Sequence, residues 1–181
     1  IISRIEAERG LTPGSVGIQA MLETARAIVN VNSIAAASPR LVGLTLGGQD
    51  LAADLGIKAT KEGLELLFAK SAVILAAKAN GLDAFDTVYT DVADLEGLAQ
   101  AAALSVSLGF TGKAAIHPSQ IPVIHAAFAP ERKEVAKAAK VVAAAKEAEN
   151  RGLGVIAVDG KMVDAPVVAQ ASRILELARL A

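Results

Sequence analysis

The chain contains no cysteine and no tryptophan. Without thiols there is no disulfide and no thiolate metal site, which fits a reducing compartment, and a cytoplasmic location is the expectation. Aromatics are scarce, four phenylalanines and one tyrosine, in a chain rich in alanine, leucine and valine. Such a composition suits helices packed closely on a parallel sheet. An excess of one charge is also missing: 18 Lys and Arg stand against 19 Asp and Glu, a net charge of −1. No basic field exists to hold nucleic acid, and none is expected as a partner. No apolar run is long enough to span a bilayer, so no membrane association is expected. The start, Ile1-Ile-Ser-Arg-Ile-Glu6, has neither the apolar core of a signal peptide nor a methionine, and a processed or partly represented chain is expected.

What is present is a repeated pattern of short apolar run, sharp stop and helix. Gly17-Ile-Gln-Ala-Met-Leu22 ends at Glu23, Leu41-Val-Gly-Leu-Thr-Leu46 at Gly47-Gly48-Gln49-Asp50, and Ala84-Phe85 at Asp86. Gly109-Phe-Thr-Gly-Lys-Ala-Ala-Ile-His-Pro-Ser-Gln-Ile121 has the same form, with Pro118 closing a strand at about 113–116. Thr24–Ala37, Lys61–Asn80 and 95–107 read as the intervening helices. Thr60 reads as an N-cap, Asp94 as another, and Gly81 and Gly109 as helix stops. The Lys61–Asn80 helix is expected to bury Leu64, Leu67, Phe68, Ala72, Ile74 and Leu75.

Four βα units make half of an eight-stranded barrel, and four parallel strands cannot close on themselves. After Pro118 the rhythm stops. Residues 131–150 read as a helix ended by Gly152-Leu-Gly154, followed by an Asp159-Gly160 turn and a last helix near Pro166. The expected division is 1–128 as the C-terminal half of a TIM barrel and 129–181 as a helical C-terminal lid.

In a parallel barrel, strand ends share one face, so Glu23, Asp50 and Asp86 would converge there. Two hard carboxylates from adjacent strands suit Mg²⁺, which takes its remaining ligands from water and substrate. Spacing alone leaves another reading open, in which Glu23 and Asp50 cap the helices at Thr24 and Leu51. Asp86 is a third polar group of the site or the partner of a lysine. Gly47-Gly48-Gln49 could present amides to an anion or form a plain tight turn. Gly109-Phe-Thr-Gly-Lys113 fails as a phosphate loop, because Ala114 stands where a hydroxyl is needed. His117 and His125 lie eight apart, off the spacing of a zinc helix, and His117 beside Pro118 reads as structural. No Gly-x-Ser-x-Gly elbow is present. Asp164, before Ala165-Pro166, is locally an ordinary helix cap.

Taken together, Leu22-Glu-Thr-Ala25, Ser38 to Leu51, Phe85-Asp-Thr-Val88, Gly109 to Ile121 and Asp159-Gly-Lys-Met-Val-Asp-Ala-Pro166 make the chain resemble the citrate lyase β-subunit-like family of the HpcH/HpaI aldolase superfamily. The resemblance implies a (β/α)₈ barrel with a helical lid and a Mg²⁺-dependent carbon–carbon lyase. The bond would be cleaved or formed in a β-hydroxyacyl thioester of malyl-, citramalyl- or citryl-CoA type, with acetyl-CoA and a 2-oxo acid as the other side of the reaction. It implies Glu23 and Asp50 as metal ligands, Glu23, Gly48, Gln49 and Asp50 as the substrate-binding set, and Asp164 as a catalytic base reaching a neighbouring subunit, hence a homo-oligomer with exchanged lids. Two further expectations stand beside the lyase: a malyl-CoA-type thioesterase on the same site, and a non-catalytic subunit of a lyase complex. Departures from the family pattern are Gln49 where many members carry an acid, His117 where citrate lyase β subunits tend to have asparagine, and the absence from this sequence of the first four strands with their carboxylate-binding arginine. The His117 departure favours a CoA-thioester enzyme outside the citrate lyase complex.

Overall fold

A computed structural model describes residues 1–150 and 156–180. The chain divides into two compact units, Ile1–Ile124 and His125–Ala181.

In the first unit, α1 (Ile2–Arg9) ends at left-handed Gly10. β1 (Ile18–Leu22), β2 (Leu41–Leu46), β3 (Asp83–Asp86) and β4 (Gly112–Lys113) form one parallel sheet in sequential order. Between them run α2 (Ala25–Val29), α3 (Val31–Ala35), α4 (Gly48–Asp54), α5 (Leu67–Ala79) and α6 (Leu95–Leu108). Sequential parallel strands joined by helices are the βα arrangement of a barrel, here four strands of it.

Register sorts the two faces of the sheet. Gln19 pairs with Gly43, Met21 with Thr45, Thr45 with Phe85 and Phe85 with Gly112, so these residues share one face. Gln19 Nε2 donates to Thr45 Oγ1 across that face. Phe85 fills the space left by glycine, since a Cβ at Gly112 would lie 2.9 Å from its ring. The opposite face carries Leu22, Leu44, Leu46 and Ala84, all buried. Onto it pack α5, through Val73, Ala76 and Ala77, and α6, through Leu98 and Ala102. Alanine on these helices lets them approach the sheet closely, which is how a core almost without aromatics fills itself.

Several expectations shift. The 61–80 helix is broken: Gly63 is left-handed at φ 64°, a short 3₁₀ turn spans Leu64–Leu66, and α5 starts at Leu67. Thr60 caps no helix; its amide and hydroxyl both bind Glu65. Leu64, Leu67, Phe68 and Leu75 lie exposed, and the buried stripe is Ala69, Lys70, Val73, Ile74, Ala76 and Ala77. The fourth strand is shorter and earlier than 113–116, because the Ile116 amide turns away from the ladder to Gln120 Oε1.

One buried anchor carried no sequence signal. Glu6 of α1 is buried and takes a two-pronged bond from Arg40, at 2.8 and 2.6 Å, plus the amides of Gly14 and Val16. A planar guanidinium matches a carboxylate in this way, and the pair fixes α1 beneath the start of β2.

The boundary between the units falls within α7 (Ile121–Phe128). In the second unit α8 (Arg132–Asn150) packs on α9 (Ala165–Leu180). Between them β5 (Ile156–Val158) and β6 (Lys161–Val163) form an antiparallel hairpin. Its turn is Asp159-Gly160, both at positive φ, as a tight two-residue hairpin requires. Ala138, Val141, Val163 and Ala171 make the core. The appendage is therefore helical with a hairpin inserted, rather than helical throughout. Gly152-Leu-Gly154, expected to end the long helix, lies outside the described residues.

Candidate metal and substrate site

Glu23 follows the last residue of β1. A Cβ built on Gly47, the residue after β2, would lie 2.7 Å from Glu23 Cβ, 3.1 Å from Glu23 Oε2 and 3.2 Å from Met21 Cγ. Glu23 is thus laid across the end of β2 on the Met21 face, the face away from the helices, and Gly47 leaves the room it needs. Asp50 sits in the first turn of α4, three residues beyond Gly47. Glu23 therefore follows β1 directly, and Asp50 follows the adjacent strand β2 in the first turn of α4.

Neither acts as a cap. Thr24 caps α2 itself, its Oγ1 accepting from the Ala27 amide. The Ala25 amide is taken by Asp54 Oδ2 at 2.8 Å, a contact from the far end of α4 that sequence reading missed. α4 begins at Gly48 with Gly47 as its N-cap, which places Asp50 inside the helix rather than before it. Among the described residues the side chain of neither Glu23 nor Asp50 forms a hydrogen bond or ion pair, while Glu23 is half-buried and Asp50 exposed.

Among the described residues no group of three or more His, Asp or Glu side chains could hold a metal. The donor set offered is two carboxylates, hard oxygen ligands at the rim of a sheet. That set fits Mg²⁺, which is held by one or two carboxylates and keeps several waters or substrate oxygens.

The other expected substrate-binding residues, Gly48 and Gln49, open α4 ahead of Asp50. Gly48 is buried, and its amide donates to Thr87 Oγ1 at 3.0 Å, so it is already engaged. Gln49 is exposed and lines a cavity of about 200 Å³ with Thr87, Tyr89, Lys70 and Lys113.

Asp86 does not join Glu23. It pairs in register with Lys113 and lies two residues from buried Ala84, on the helix face. There Oδ2 meets Lys70 Nζ at 3.0 Å, Lys113 Nζ at 3.1 Å and Ser105 Oγ at 2.5 Å, while Oδ1 has no protein partner. Burial pushes the Asp86 carboxyl up, but Lys113 and Lys70 outweigh it and hold the group below its ordinary value. Burial likewise pulls the Lys113 ammonium down, against the attraction of Asp86. Asp86 is thus the partner of lysines and not a third carboxylate beside Glu23. Alternation along β3 carries this signal, because Ala84 and Asp86 share parity.

His117 is structural: Nδ1 accepts from the Ser119 amide and caps the 3₁₀ turn Pro118–Gln120. Buried Gln120 joins the Ile116 amide to the Tyr89 carbonyl and was not foreseen. In the second unit, Asp164 is exposed and its Oδ1 accepts from the Val167 amide at the start of α9.

Residues 1–118 match the HpcH/HpaI aldolase/citrate lyase family. The chain belongs to it. Citrate lyase subunit beta of Haemophilus influenzae is 43% identical over 98% of this chain and 61% of its own length. The (3S)-malyl-CoA thioesterase of Cereibacter sphaeroides is 39% identical over 88% of this chain and 55% of its own. A crystal structure of CitE from Mycobacterium tuberculosis, in complex with magnesium, acetoacetate and coenzyme A, is 37% identical with a TM-score of 0.76, covering 90% of this chain and 61% of that one. The chain thus spans about three fifths of the curated citrate lyase subunits that it matches. The α/β sheet seen here is part of the TIM-barrel fold of this family. Among the described residues no helix is long and apolar enough to cross a membrane.

Proposed function

We propose that this chain carries the metal-binding part of a Mg²⁺-dependent lyase that cleaves or forms a carbon–carbon bond in a β-hydroxyacyl thioester, giving acetyl-CoA and a 2-oxo acid. What supports this reading is that Glu23 follows β1 and Asp50 follows the adjacent strand β2, and that neither side chain has a protein partner among the described residues. Relatives named citrate lyase subunit beta and citramalyl-CoA lyase support the reaction class. The crystal structures with magnesium, with acetoacetate and coenzyme A or with oxaloacetate, support the metal and both halves of the substrate.

Glu23 and Asp50 would hold Mg²⁺, which would supply Lewis-acid stabilisation of the substrate's hydroxyl or 2-oxo oxygen. Glu23 and Asp50 hold their carboxylates ready for this role. The amides of Gln49 and Asp50 lie in the first turn of α4 without intrahelical acceptors, and in this reading they meet the oxoacid end of the substrate. In the condensation direction Asp164 removes a methyl proton from acetyl-CoA, and in cleavage it returns that proton to the thioester enolate. This role requires a homo-oligomer in which residues 129–181 serve as a lid over a neighbouring copy's site and exclude water.

A thioesterase is the second reading, favoured by the relative named (3S)-malyl-CoA thioesterase. Incubating the full-length protein with malyl-CoA and Mg²⁺ separates the two: glyoxylate and acetyl-CoA appear from a lyase, malate and free CoA from a hydrolase. Glu23→Ala and Asp50→Ala should abolish turnover, and Asp164→Asn should lose turnover while still binding metal. Full activity in any of the three contradicts its assigned role. The identity to citrate lyase subunits keeps a citryl thioester, on CoA or on a carrier protein, among the substrates to test. A protein that binds Mg²⁺ but turns over none of them would be the non-catalytic subunit of a complex.

A further inference from the structure

We propose that Thr87 is a positioning residue for the turn carrying Asp50, and that Lys113 in turn fixes Thr87. This inference rests on the metal reading of Glu23 and Asp50. α4 has only seven residues and no side-chain N-cap, so it does not hold its own first turn in place. That turn is slung between two strand ends. On one side the Gly47 amide donates to the Leu22 carbonyl at 3.0 Å, a backbone bond at the end of β1. On the other the Gly48 amide donates to Thr87 Oγ1 at 3.0 Å, and this bond depends on a side chain. Thr87 also packs there: a Cβ on Gly48 would lie 2.9 Å from Thr87 Oγ1 and 3.1 Å from its Cβ. Asp50 is two residues farther along.

Thr87 is held from below. Its carbonyl accepts from Lys113 Nζ at 2.7 Å, and the same ammonium meets Asp86 Oδ2. Lys113, Asp86, Lys70 and Ser105 are buried, and Asp86 Oδ2 gathers three donors at once. Such a knot has few alternative arrangements. A line of contacts therefore runs from the buried ion cluster through Thr87 to the metal-ligand turn, and groups of this kind, which orient ligands without touching the ion, tune metal affinity. It also accounts for why the strand-end aspartate of β3 faces the helices: it anchors the loop that aims its neighbour's turn.

The test uses full-length protein with Thr87→Val, which keeps the shape and removes the acceptor, and Thr87→Ser, which restores it. Two readouts are taken: exchange of the Gly48 amide by NMR, and Mn²⁺ affinity by electron paramagnetic resonance. In Thr87→Val the Gly48 amide should exchange faster and Mn²⁺ should bind roughly tenfold more weakly or worse. Thr87→Ser should recover both. Unchanged exchange in Thr87→Val overturns the proposal, as does faster exchange with wild-type Mn²⁺ affinity. Wild-type protein that binds no Mn²⁺ would instead remove the metal reading, while the exchange rates still decide whether Thr87 holds the turn.

Discussion

Asp86→Asn should be among the most destabilising single changes in the first unit. The carboxylate is fully buried and faces two ammoniums, Lys70 at 3.0 Å and Lys113 at 3.1 Å, whose side chains are only 7% and 2% exposed. Asparagine keeps the shape and one acceptor but removes the charge, leaving two positive groups in a dry site. Breaking a buried pair from one side costs about 3–5 kcal/mol. A protein of this size loses about 2–4 °C in Tm per kcal/mol, so a drop of roughly 6–20 °C is expected. Lys70→Met is the informative contrast, because it leaves a one-to-one pair of Asp86 and Lys113. It should cost less than about 1 kcal/mol, since replacing a surplus buried ion by an apolar group of similar volume is often neutral. Urea unfolding at neutral pH measures both. The reasoning fails if Asp86→Asn stays within about 1 kcal/mol of wild type, or if Lys70→Met is as damaging as Asp86→Asn.

Acid stability should depend on Glu6. The Arg40 guanidinium, with the Val16 and Gly14 amides, holds its carboxyl down from 4.5 to about 2. A value lowered in the folded state means that the contribution is complete above pH 4.5 and is lost as pH falls towards 2. Glu6→Gln should flatten the stability profile in that window, and an unchanged acid limb would contradict the assignment. Gly47→Ala should weaken Mg²⁺ binding by displacing Glu23, because φ −88° at Gly47 is open to alanine but the new methyl would meet Glu23 Cβ at 2.7 Å, so that the end of β1 must shift. Calorimetric titration giving wild-type Mg²⁺ affinity would show that Glu23 does not need the space.

Much of this fold was legible in the chain because its signals are local. Apolar runs ended by Glu23, Gly47 and Asp86 marked three strands, and left-handed Gly81 and Gly109 marked where helices stop. Asp94 caps α6 by accepting from the Gly97 amide, as its position foretold. What escaped depends on partners distant in sequence. Glu6 and Arg40 are 34 residues apart, and nothing near either one announces the other. Left-handed Gly63 delayed the start of a helix that side-chain pattern alone would have begun at Lys61, because left-handed backbone leaves no mark on hydrophobic spacing. Of the stripe expected there, Ile74 is buried, but Leu67, Phe68 and Leu75 of α5 are exposed, and Leu64 lies before the helix in the 3₁₀ turn. At the site, the family resemblance picked out Glu23 and Asp50, and structure adds that neither is occupied as a cap. Asp86 was drawn to them by its place at a strand end, although strand parity already assigned it to the other side.

The account stands on one divalent ion shared by two side chains. Crystals of the full-length protein grown with Mn²⁺ and measured at the manganese absorption edge would locate it directly. A single anomalous peak bonded to one oxygen of Glu23 and one of Asp50, at a distance near the ~2.0–2.1 Å typical of Mg²⁺, is the expected result. A peak touching neither carboxylate, or touching one while the other turns to solvent, would contradict it.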